Sequence, residues 1–252
     1  AKVVGDPERF RDYFTHQTGN TCALVSIKQV LGDLGRPAGE EELFWDAFGK
    51  GFITAGFTCD DPEDKSCRGT YDPATRLCSV VDRAGKRLAV AIDRNGNTLT
   101  ADRSICVDSR RTGGMLPAAI GDYLALMSGR RVRNDMIPLS EELRAATKTD
   151  DVLTHALYIR ETLLPKARAE VVEVLRKGKP VIVAMNARVL RQDSGPRAMH
   201  AVLVTAAVVG DDGTPLGFYL NDSATYEHGR FLPAAEFDEA WIQDDLQRVY
   251  IE

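Results

Sequence analysis

The chain has 252 residues, 44% of them apolar and 27% charged, with a formal net charge of -5 and a pI near 5.5. That is the composition of an ordinary globular protein with enough apolar side chains for a sizeable core. The acidic balance argues against nucleic acid or an anionic membrane as the main partner, since both reward a clustered basic surface. No run approaches the roughly 18 apolar residues of a membrane span. The Arg-rich patch Gly129-Arg130-Arg131-Val132-Arg133 reads as a short solvated loop. The chain opens at Ala1 with no secretory leader pattern, as a mature or excised segment would.

Residues 1 to 15 read as an extended or turn entry whose aromatics, Phe10, Tyr13 and Phe14, pack beside the helix that follows. In that helix Leu24, Ile27, Leu31 and Leu34 recur at the spacing of one helix face. Asn20 or Thr21 is placed to cap its start, and Gly35 to stop it. Cys22 then falls in the first turn, where unpaired backbone N–H groups and the positive end of the helix dipole favour the nucleophilic thiolate. Upstream, Gln17 can supply a side-chain amide donor which, with the N–H of Cys22, would hold a developing oxyanion. His16 beside it reads equally as a pocket-lining or a turn histidine. The run Glu40 to Gly49 is a second helix, acidic at its start and stopped by glycine.

Residues 51–110 change character, with turn signals at Ala84-Gly85 and Asn95-Gly96 flanking the alternating run Arg87 to Ile92. We expect a small β-rich insertion within a single domain of residues 1–252, either a recognition excursion or a decorated surface loop. It holds every cysteine other than Cys22: Cys59, Cys67, Cys78 and Cys106. Their spacings lack the close pairs of a zinc site and no histidine lies among them. Two disulfides are expected, with neighbour pairing of Cys59 to Cys67 and Cys78 to Cys106 favoured among the three possibilities. That would place the protein in an oxidising, secreted or extracytoplasmic setting, whereas four reduced thiols would suit the cytosol. The acidic run Asp60 to Asp64 lacks the spacing and glycine of a calcium loop and reads as a solvated turn. No cofactor or metal is expected.

Beyond Gly113-Gly114, Leu116 to Met127 has an apolar helical face ending at Gly129. Ser140 caps a further segment, and Asp150 or Asp151 starts a helix running to Leu164-Pro165, in which His155 is a surface or packing residue. A separate amphipathic helix from Ala167 to Lys177 leads through Gly178-Lys179-Pro180 into a strand at 181 to 185. The run 201 to 209, also continuously apolar, implies a sheet buried on both faces.

His200 opens that second strand, which meets a turn at Gly210 to Gly213; a further strand, Gly217 to Leu220, ends in Asn221-Asp222. In such a hairpin the start of one strand lies beside the end of the other, so His200 and either Asn221 or Asp222 fall at one end of the sheet. A cysteine nucleophile needs a base and a group that orients it, and this placement supplies both. His228, in a turn before Gly229, is the rival base. A short helix at 234 to 243 bears Phe237 and Trp241, and Arg248 to Ile251 reads as a closing strand.

The order Gln17, Cys22 at a helix start, His200 on a strand and Asn221-Asp222 after the next strand resembles papain-like cysteine peptidases. It is most similar to the bacterial branch that includes double-glycine leader peptidases. Val4-Gly5-Asp6-Pro7, Gly178 to Val183, Tyr219 to Asp222 and Phe231-Leu232-Pro233 followed by Phe237 and Trp241 carry the likeness. The resemblance implies an α+β fold, with a helical layer bearing the nucleophile packed on an antiparallel sheet bearing the histidine. It favours Asp222 as the residue that orients His200, while papain itself would favour Asn221. It also implies peptide-bond hydrolysis of a protein or peptide substrate, and makes Gly113-Gly114 a conceivable cleavage site. The other readings are a secreted toxin or effector domain with an inhibitor or immunity partner, an amidase or deamidase using the same residues, and an inactive papain-like binding module.

Overall fold

The computed structural model describes residues 1–17, 20–50, 52–54, 56–59, 68–72, 77–81, 87–91, 105–108, 114–138, 140–192, 198–225 and 227–252. For the strands between residues 54 and 108, and for residues 45, 48 and 49, the description is of the backbone only. In chain order the first elements are strand β1 (Lys2–Gly5), α1 (Cys22–Asp33) and α2 (Glu40–Gly49). Six short strands follow: β2 (Ile53–Thr54), β3 (Gly56–Cys59), β4 (Arg68–Asp72), β5 (Leu77–Val81), β6 (Arg87–Ala91) and β7 (Ile105–Asp108). Then come β8 (Gly114–Met115), α3 (Pro117–Ser128), β9 (Val132–Asp135), α4 (Ser140–Thr147), α5 (Val152–Tyr158) and α6 (Leu164–Arg176). The last part holds β10 (Val181–Asn186), α7 (Ala187–Arg191), β11 (Met199–Val209), β12 (Pro215–Asn221), β13 (Arg230–Pro233), α8 (Ala234–Ile242) and β14 (Arg248–Ile251).

The main sheet runs β13-β12-β11-β10-β14-β9, with every pairing antiparallel. The eleven-residue β11 is too long for one neighbour on its β10 edge: its first half pairs with β10, and β1 takes its second half, from Ala206 to Val209. Alternation along the strands sorts side chains into two cores. Ile182, Ala201 and Leu203 pack with α1, α2 and α3, whereas Val181, Val183, Val202 and Val204 pack with α6 and α8. Helices on both faces explain why β10 and β11 are apolar without a break. On the second face Phe218 stacks on Phe237 at 4.1 Å between ring centroids, and Trp241 closes edge-on at 5.2 Å. The molecule is therefore a mixture of helices and antiparallel sheet.

Local differences from expectation have physical causes. Thr21 is the residue before α1, yet its side chain makes no capping bond and its hydroxyl donates to Glu40 instead. Pro165 does not end its helix: α5 continues into α6 through a single wide π turn, Ile159–Leu163. Proline has no N–H for the carbonyl four residues back and its ring crowds that carbonyl, and a widened turn relieves both. Of the Arg-rich segment expected as a loop, Val132 and Arg133 belong to the edge strand β9, where Arg133 and Asp135 pair with each other. Charged edge strands discourage further pairing and so look like loops in sequence. Gly129 stops α3 as expected, in the left-handed conformation at φ 62°.

Between α2 and α3 the backbone leaves through β2 and returns through β8, which pair antiparallel at Ile53–Met115 and Thr54–Gly114. Beyond them β3 pairs with β7, and β4, β5 and β6 form a three-stranded meander. Ala84-Gly85, expected as a turn, lies outside the described residues, as do Asn95-Gly96, Cys67, the Asp60 to Asp64 run and Gly113. The disulfide expectation rests on side chains that are likewise outside them.

Candidate active site

Three elements converge at one end of the sheet. The first turn of α1 presents Cys22, the start of β11 presents His200, and the residue after β12 is Asp222. The pairing of Leu203 with Asn221 sets the β11–β12 register, which brings His200 and Asp222 to the same end of the hairpin. His200 is 2% exposed and Asp222 fully buried. The His200 Nε2–H donates to Asp222 Oδ1 at 2.6 Å. The other ring nitrogen, Nδ1, is thereby left for the sulfur of Cys22, with which the imidazole is hydrogen bonded.

The backbone adds to the hold on the sulfur. The N–H of Ala201, next to the histidine, donates to Cys22 Sγ at 3.4 Å, and that of Ala23 does so from within the helix. Burial alone would push the Cys22 thiol up, but the imidazole and these N–H groups outweigh it and bring it below its ordinary 9.0. Burial likewise opposes the His200 cation, but the bonds to Asp222 and to Cys22 raise the imidazole to about 9. Asp222, burial notwithstanding, is held below the usual carboxylate range by His200, the Ala224 N–H and, through space, Arg191. The two shifts favour a thiolate–imidazolium pair over the neutral pair, and the thiolate is the nucleophilic form of a cysteine.

Gln17 lines the same cleft as Cys22 and His200. Its backbone N–H donates to the Ser223 carbonyl at 2.9 Å, and its Oε1 accepts from the Ser223 hydroxyl at 2.8 Å. The Cys22 N–H belongs to the first helical residue and has no partner within the helix.

Asn221 does not join the group. Its Nδ2 donates to Gln29 Oε1 of α1 at 2.7 Å, in the interior, and its Oδ1 accepts from the half-buried Gly229 N–H at 3.0 Å. The imidazole is bonded by Asp222 and not by Asn221, whose side chain is turned to Gln29 and the Gly229 N–H; neighbouring side chains at a strand end point to opposite faces. His228 packs edge-on against Phe14 at 5.7 Å and is absent from the cleft lining. His155 Nε2 lies 2.8 Å from the Thr149 carbonyl, a local packing role. His16 lines the cleft.

The cleft has a volume of about 520 Å³, and Gly114, Met115, Ala187, Arg191 and Met199 complete much of its wall. No local signal marks Arg191 or Ser223: neither sits in a periodic pattern, and their place in the cleft region comes from where α7 and the β12 end are folded. Among the described residues no cluster of histidine, cysteine or carboxylate side chains is arranged to hold a metal ion, and no helix is long and apolar enough to cross a membrane.

No protein-family model matches the chain, and no curated protein matches it. Among solved structures it is similar to a Bacillus anthracis protein described as a C39-like peptidase, with 13% sequence identity and a TM-score of 0.49, covering 100% of this chain and 98% of that one.

Proposed function

We propose that the chain is a papain-like cysteine peptidase, one domain of residues 1–252 with a β-rich insertion at 51–110, in which Cys22, His200, Asp222 and Gln17 carry out peptide-bond hydrolysis. The observation that supports this most is the unbroken line from the Cys22 sulfur through the His200 ring to Asp222 Oδ1, the last link at 2.6 Å.

In this reading the thiolate attacks the peptide carbonyl, and the electron pair of the C=O bond moves to oxygen, which the Gln17 amide and the Cys22 N–H stabilise. The His200 Nδ1–H protonates the departing amine as the C–N bond breaks, leaving a thioester on Cys22. His200, now neutral, takes a proton from water; the hydroxide attacks the thioester, the C–S bond breaks with its electron pair returning to the sulfur, and the acid product leaves, its proton passing to the released amine or to water. Asp222 fixes the ring orientation and stabilises the cation throughout. The substrate is a protein or peptide. From the cysteine pattern we also carry forward two disulfides in the insertion and an extracytoplasmic setting, and from the toxin or effector reading an inhibitor or immunity protein as partner.

The test compares the wild type with Cys22→Ala on a complex peptide mixture by mass spectrometry, with circular dichroism to check folding. New amino termini made by the wild type and absent from the folded variant support the proposal. Mass shifts of amide loss without chain cleavage would assign amidase chemistry instead, and no product from either protein would remove the enzyme reading.

A further inference from the structure

We infer that Arg191 selects substrates that bring a carboxylate into the cleft beside Cys22. The inference rests on the proposed role of Cys22 and adds the chemical class of what that cleft accepts.

Arg191 lines the cleft together with Cys22, His200 and Gln17, and it is the one permanently charged side chain among the described lining residues. The remainder of the described wall is neutral or titratable: histidine, amide, small and sulfur-containing side chains. Arg191 ends α7 and is exposed, and no described residue holds its side chain by a hydrogen bond or ion pair. Its five N–H donors form a planar fork matched to a carboxylate.

The turn that carries Arg191 is anchored. The Asn186 side chain accepts from the Arg188 N–H at 3.0 Å and donates to Gln243 Oε1 at 2.6 Å. Arg230 donates to the Leu190 carbonyl at 3.2 Å, and the Leu190 side chain is buried at 2% exposure. The guanidinium therefore starts from a fixed backbone at the cleft wall, which lowers the ordering cost of gripping a ligand.

The local charges support the same conclusion. Thiolate and imidazolium cancel, and Asp222 adds a negative charge that is buried and already bonded to His200 and the Ala224 N–H. A substrate carboxylate entering without Arg191 meets net repulsion, and with it meets a matched partner. A lysine or arginine side chain in the same position is repelled. Arg191 also acts through space on Asp222, and the experiment must separate that positioning role from recognition.

Iodoacetate and iodoacetamide make the separation. In both the sulfur displaces iodide, and the reagents differ only in carrying a carboxylate or a neutral amide. Rates at Cys22 are followed by peptide mapping for the full wild-type chain, Arg191→Gln and Arg191→Glu. The iodoacetamide rate reports the thiolate itself, so the ratio of the two rates isolates recognition of charge. The ratio should fall about fivefold in Arg191→Gln, the weight of one water-exposed charge pair, fall further in Arg191→Glu, and converge among the three proteins near about 1 M salt. In the peptide mixture the wild type should favour acidic sequences near the cleaved bond and Arg191→Glu basic ones. Peptides amidated at the carboxyl terminus distinguish an acidic side chain from a terminal carboxylate as the ligand. An unchanged ratio, including one in which both rates move in parallel, overturns the inference and leaves Cys22 as nucleophile. A Cys22 inert to both reagents in the wild type overturns the nucleophile and this inference with it.

Discussion

Asn221 and Asp222 are adjacent in the chain, yet their side chains serve different parts of the molecule: Asn221 bonds Gln29 on α1 at 2.7 Å, and Asp222 accepts from His200 at 2.6 Å. One ties the sheet to the helix that carries Cys22, and the other orients the group that Cys22 faces. The two roles differ in what their loss should do.

Asp222→Asn should lower kcat by about 10⁴-fold, the scale seen when a histidine loses its orienting carboxylate, and should slow iodoacetamide labelling of Cys22 at neutral pH. Asn221→Ala should leave labelling within about twofold while costing about 1–3 kcal/mol of stability, because Gln29 Oε1 and the Gly229 N–H lose buried partners. Urea denaturation and labelling of both variants check this. The opposite pattern would exchange the two roles.

The pH dependence follows from the coupled pair. Activity should follow a bell, with its acid limb set by protonation of Cys22, which lies below its ordinary 9.0, and its alkaline limb near pH 9 as His200 loses the proton it must donate. For stability the two groups oppose each other. His200, raised from 6.5 to about 9, contributes stability that is present below pH 6.5 and lost as pH climbs through about 9. Cys22, lowered, contributes stability that is present above 9.0 and lost as pH falls through its folded value. The wild type should therefore be nearly flat across that window. Cys22→Ala, with Asp222 still holding the imidazolium, should lose stability from pH 6.5 upward. Thermal melts of both proteins over this range would reveal a wild-type slope as steep as the variant's if the coupling were absent.

Gln17→Ala should reduce kcat by about 10²–10³-fold, the cost of one oxyanion donor. Ser223→Ala removes the hydroxyl that donates to Gln17 Oε1 and should cost about tenfold, with Ser223→Thr restoring most of it. Neither change should alter iodoacetamide labelling, since displacement of iodide builds no oxyanion. Equal losses in turnover and labelling would mean that the two residues support the fold instead.

Gly5→Ala tests the strand that completes β11. Gly5 has φ +87°, and an added Cβ would stand 2.5 Å from the Thr205 carbonyl oxygen, a backbone atom with little room to yield. A loss of about 2 kcal/mol in chemical denaturation is expected. A variant as stable as the wild type would show that β1 can shift away from β11.

Much of the scaffold was legible because it depends on short-range order. Leu24, Ile27 and Leu31 mark α1 by spacing alone, and the unbroken apolar runs mark β10 and β11 as covered on both faces. Where a tertiary partner outbid a local preference, the reading failed: Thr21 gave its hydroxyl to Glu40, and Pro165 was absorbed by a π turn. Strand β9 was missed because its charges mask its backbone pairing, and α7 because five residues are too few to show a period.

By itself the amino-acid order determined that a cysteine opens a buried helix and that a histidine and two carboxylate-or-amide residues lie at one end of a hairpin, since element type and facing are set by neighbours a few positions away. Only the tertiary structure decided that Asp222 and not Asn221 meets the imidazole, that Ser223 holds Gln17, and that Arg191 shares a cleft with Cys22. Those outcomes depend on register and on which remote segments the two cores press together, and no local pattern records either.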